Sequence, residues 1–94
     1  MRLYPDEKQV LLDLIKTIPG HVYLFGSRTV DDKKGGDIDL LILSAEFTQE
    51  AGEQLKHQFY MQLDSKLDVV VFDPQTLTAA QQAFINTLNK IRLH

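Results

Sequence analysis

Three short apolar runs, each marked at one end by a carboxylate or a glycine-serine step, limit what this chain can fold into. Val22-Tyr23-Leu24-Phe25 runs into Gly26-Ser27, Asp37-Ile38-Asp39 opens Leu40-Leu41-Ile42-Leu43, and Asp68 opens Val69-Val70-Val71-Phe72. Runs of this length, rich in β-branched and aromatic residues and bounded by glycine or polar residues, read as strands. If the marked ends belong to one site, the topology follows. The end of the first strand and the start of the second meet across a loop when those strands are antiparallel, and the starts of the second and third meet across a helix when those are parallel. The expected sheet is therefore small, three-stranded and mixed, in an α/β (α+β) fold with helices packed on it.

The helical periodicity fits between these strands. Pro5, with Asp6 and Glu7 behind it, suits a first helical turn, where a missing N–H is harmless and acids complement the dipole. Val10, Leu11, Leu14, Ile15 and Ile18 then trace one apolar face up to Pro19-Gly20. Thr48 is placed to cap a second helix with Ala51, Leu55, Phe59 and Leu63 on its inner face. Asp73-Pro74 reads as the opening of a third helix whose inner face carries Leu77, Ala80, Phe84, Leu88 and Ile91. The stretch from Thr29 to Gly36 is polar and glycine-ended, which predicts a loop with Lys33 and Lys34 at its tip.

At 94 residues the chain is expected to form one domain, spanning 1–94. Without cysteine it has neither disulfides nor thiolate metal sites. A net charge of -3 gives no basic footprint for nucleic acid, so direct nucleic-acid binding is not expected. The N-terminal residues lack the apolar run of a signal peptide, and a cytoplasmic location without membrane attachment is the default expectation.

Asp37 and Asp39 stand two apart on a strand, so both carboxylates project to one face while Ile38 points into the core. Asp68 is expected to join them. Carboxylates about 4–5 Å apart repel by about 4 kcal/mol per pair at an effective dielectric near 20, a cost with little structural use. Divalent metal is the natural counterpart, because Mg²⁺ takes a few hard oxygen ligands and completes its shell with water and phosphate oxygens. Gly26 permits close backbone approach to a phosphate, and a nest of N–H groups there favours an anion. His21, His57 and His94 show no ligand spacing and read as surface or satisfied histidines. Asp64 and Asp73 read as a loop residue and a cap. Lys33-Lys34-Gly35-Gly36 is no Walker loop, and Ser27 lies in no nucleophile elbow.

Gly26-Ser27-Arg28, followed by Asp37-Ile38-Asp39-Leu40 and the later Asp68, resembles the minimal nucleotidyltransferases of the DNA polymerase β superfamily, a kind found as antitoxins beside HEPN-domain toxins. The resemblance implies an adenylyltransferase that moves AMP from ATP onto a hydroxyl of a partner protein, with a nearby-encoded HEPN-type toxin as partner in a hetero-oligomer. It implies two Mg²⁺ ions, both held by Asp37 and Asp39, with Asp68 binding only the ion that activates the acceptor hydroxyl. By the same resemblance Gly26 and Ser27 support the triphosphate, and Arg28 contacts phosphate or pyrophosphate. Two alternatives stand beside it: a noncatalytic module of this fold that neutralises a partner by contact, and the catalytic subunit of a two-chain small-molecule nucleotidyltransferase.

Overall fold

The computed structural model describes residues 3–30 and 37–94. The expected loop therefore lies outside the described residues from 31 to 36, and with it the placing of Lys33 and Lys34 at its tip. Helix α1 (Pro5–Ile15) leads into strand β1 (His21–Phe25) and a 3-10 turn (Gly26–Thr29). Strand β2 (Ile38–Leu43), helix α2 (Gln49–Leu63), strand β3 (Leu67–Phe72), helix α3 (Ala79–Thr87) and strand β4 (Lys90–Arg92) follow.

The sheet order is β3-β2-β1-β4. As the marked strand ends require, β1 pairs antiparallel with β2 and β2 pairs parallel with β3. The α+β class and mixed pairing are as expected, but among the described residues the sheet has four strands rather than three. The fourth comes from sequence that was expected to be helical. Lys90–Arg92 leaves the helix and pairs antiparallel with β1, matching Leu24 with Ile91. The free edge of β1 presents N–H and C=O groups that need partners, and that demand outweighs the helical spacing of Leu88 and Ile91.

The start of α3 also differs from expectation. Asp73 and Pro74 form a turn in which the Asp73 side chain accepts from the Gln75 amide at 2.9 Å. The helix begins only after Thr78, whose hydroxyl accepts from the Gln81 amide while the Gln81 side chain accepts from the Thr78 amide, each at 3.0 Å. This reciprocal capping box satisfies two orphan donors at once. The inner residue of α3 is Ile85, and Phe84 stays partly exposed.

Alternation along the strands divides the sheet into two unlike faces. Val22, Leu24, Ile38, Leu40, Ile42, Leu67 and Val71 point to one side, where they form the core with Leu11 and Ile15 of α1 and Leu55 and Phe59 of α2. Thr48 caps α2 as expected, accepting from the Ala51 amide at 3.0 Å. On the opposite face Phe84 of α3 meets Phe25 and Phe72 edge-on, with ring centroids 5.9 and 6.0 Å apart. No helix among the described residues is long and apolar enough to cross a membrane.

Candidate active site

The face of the sheet opposite the main core carries the acidic residues alongside the Phe25-Phe72-Phe84 cluster. Asp39 lies opposite Phe25 across the antiparallel pair and opposite Asp68 across the parallel pair. One row across the strands therefore joins the end of β1 to the starts of β2 and β3. Asp37 precedes β2, and Ile38 between the two acids is buried in the core. The sequence motifs converge because of strand pairing, not because of nearness in sequence.

Gly26 follows Phe25 directly, with φ of 78°. Left-handed backbone of this kind is readily open to glycine and strained for other residues. A second reason for glycine is space, since a Cβ at this position would collide with the Asp39 carboxylate. The turn backbone thus lies against the acid on β2. Thr29 closes the turn by donating its hydroxyl to the Gly26 carbonyl at 2.7 Å.

Arg28, on the same turn, is directed into the protein. Its guanidinium forms a fork with Glu7 of α1, Nη1 to Oε1 at 2.8 Å and Nη2 to Oε2 at 3.2 Å. Both side chains are buried, at 7% and 8% exposure. A phosphate reaching Arg28 would have to compete with this pair.

Electrostatics mark Asp39 as the strained member of the acidic group. Partial burial raises its carboxyl above the ordinary carboxylate range, the charges of Asp68 and Asp37 raise it further, and hydrogen bonding with Asp68 adds to the effect. Lys66 acts in the opposite direction. This residue was not singled out in the sequence, yet its ammonium stands 3.8 Å from both Asp37 and Asp68. It follows the end of α2, where Asp64 takes left-handed backbone with φ of 52° and ends the helix. A lysine just before a strand carries no local signal of its own, so only the fold reveals it.

Among the described residues no three acidic or histidine side chains are already closed around a metal position. The donor set nonetheless fits a hard cation. Its oxygens are carboxylate, its central acid is held above its ordinary pKa by partial burial and by neighbouring like charge, and a lysine already supplies positive charge beside it. A divalent ion would relieve the same repulsion more fully.

A mixed sheet that gathers acids from the starts of two neighbouring strands beside a glycine turn defines a small α+β domain with an acidic candidate site. The nucleotidyltransferase domain family matches residues 8–92, and the chain belongs to that family. Its fold is similar to that of a crystal structure described as a toxin-antitoxin with AMP-PNP, with a TM-score of 0.68 and 24% identity over 93% of this chain and 72% of that one. A structure from Shewanella oneidensis is similar with a TM-score of 0.61 and 21% identity, over 98% of this chain and 72% of that one. No curated protein matches the chain.

Proposed function

We propose that this domain is a Mg²⁺-dependent adenylyltransferase of the antitoxin type, which transfers AMP from ATP to a hydroxyl of a partner toxin of the HEPN kind. The observation that carries this reading is the meeting of Asp39 and Asp68 beside the Gly26 turn in a chain of the nucleotidyltransferase family. Its fold resemblance to a toxin-antitoxin structure with AMP-PNP supports the same choice of nucleotide and partner class.

In this reading Asp37 and Asp39 would hold two Mg²⁺ ions and Asp68 would bind only the one that activates the acceptor hydroxyl. Bound there, the ions supply charge neutralisation for the entering and leaving oxygens of an in-line displacement. The chain's own groups orient the reactants. Gly26 allows the turn backbone close to the triphosphate, with Ser27 beside it, and Arg28 fixes the turn from behind. Asp68, 41% exposed, lies where a hydroxyl on another protein can approach.

The test uses ATP labelled at the α-phosphate, Mg²⁺ and the protein encoded beside this one. Label should pass to the partner with the wild-type domain and not with Asp39→Asn. Absence of label on the partner and on every other acceptor offered would remove the enzymatic reading.

Lys66 favours a second reading, because it partly neutralises the acids without any metal. The domain would then restrain its partner by contact alone. Full neutralisation of the partner by an Asp37→Asn, Asp39→Asn double variant would select that reading.

A further inference from the structure

Glu7 and Arg28 are the buried charged residues among those described. Taking two charges out of water is costly, and apolar replacements are often equally stable, so stability is a weak reason for such a pair. A bidentate fork is better suited to fixing geometry. Here it joins the first turn of α1 to the turn after β1, across 21 residues of sequence. Glu7 is itself held, since its Oε1 also accepts from the Tyr4 amide at 3.0 Å where α1 begins. The Arg28 guanidinium further lies 5.8 Å from the centre of the Tyr4 ring. The turn is thus fastened from behind to α1, while its front, at Gly26, faces the Asp39 carboxylate.

We infer that Glu7 is a positioning residue for phosphate recognition: through Arg28 it sets the backbone of the Gly26–Thr29 turn before the triphosphate of a nucleotide arrives. This rests on the reading above, in which that turn receives the triphosphate. A pre-set turn binds more tightly because less ordering remains to be done on binding.

Glu7→Gln keeps the shape and removes the charge, whereas Arg28→Lys keeps the charge and removes the fork. Amide hydrogen exchange at residues 26–29 would be followed by NMR in nucleotide-free protein, and AMP-PNP affinity by calorimetry with Mg²⁺, both well below each variant's Tm. Both variants should exchange the turn amides at least about tenfold faster and bind AMP-PNP about tenfold more weakly, while Mn²⁺ affinity without nucleotide stays within about twofold. If Glu7→Gln does not fold, Arg28→Lys carries the comparison. Unchanged exchange at the turn overturns the positioning role, as does faster exchange with AMP-PNP affinity intact. Wild-type protein that binds no AMP-PNP overturns the triphosphate reading itself, and the role with it, so the two failures are told apart.

Discussion

Asp39 shows how one residue can work against the fold that displays it. Its carboxyl is raised above the ordinary value of 3.8 by burial and by Asp68 and Asp37, so the folded chain holds this proton more tightly than the unfolded chain does. Below the unfolded value both states are protonated and nothing is lost. As pH rises through the unfolded value and past the folded one, the ionised group costs the folded state stability, in full at neutral pH. Asp39→Asn should therefore raise Tm at pH 7, and the gain should shrink toward zero as pH falls below the ordinary carboxylate range. Thermal melts between pH 3 and pH 8 measure this, and an unchanged or lower Tm at pH 7 would contradict it. The motif Asp-Ile-Asp was plain in the sequence, whereas Lys66 was not, because its approach to Asp37 and Asp68 depends on where α2 ends.

At the scale of elements, local chemistry decided what periodicity left open. Leu77, Ala80, Phe84, Leu88 and Ile91 have helical spacing, yet the helix they suggest starts later and stops sooner, at Ala79–Thr87. Its true beginning was readable in Thr78 and Gln81, the two ends of a capping box. Its end was not, because the pairing of Lys90–Arg92 with β1 is a contact between distant parts of the chain. Lys90 then secures the junction by donating to the Ile85 carbonyl at 3.1 Å, a cation at a helix C-terminus. Replacing Thr78 with alanine should cost about 1 kcal/mol, as cap removal commonly does, in urea unfolding. A loss below a few tenths would mean that tertiary packing alone holds α3. The first two helices posed no such problem, although α1 ends at Ile15 and leaves Ile18 to join the core from the following turn.

Across the whole molecule, the main core lies on one side of the sheet, with Leu41 and the Phe25-Phe72-Phe84 cluster on the other. Phe59 of α2 is fully buried in that core among Leu11, Ile15, Leu40 and Leu55. Phe59→Ala should destabilise by about 3–5 kcal/mol, a large share of what a domain of this size possesses. Chemical denaturation would measure the loss, and a value under about 1 kcal/mol would place the core elsewhere. The mixed pairing was legible because strand ends bearing acids had to meet. The outer edge of β3 was not, although Gln49 partly covers it by donating to the Val71 carbonyl at 2.9 Å.

The division of labour between the two sides of the sheet also bears on ancestry. Since the carboxylates lie outside the main core of leucines, isoleucines and Phe59, descendants could forfeit every acid and still keep that core. Relatives of such a domain that have lost its acids should therefore still fold.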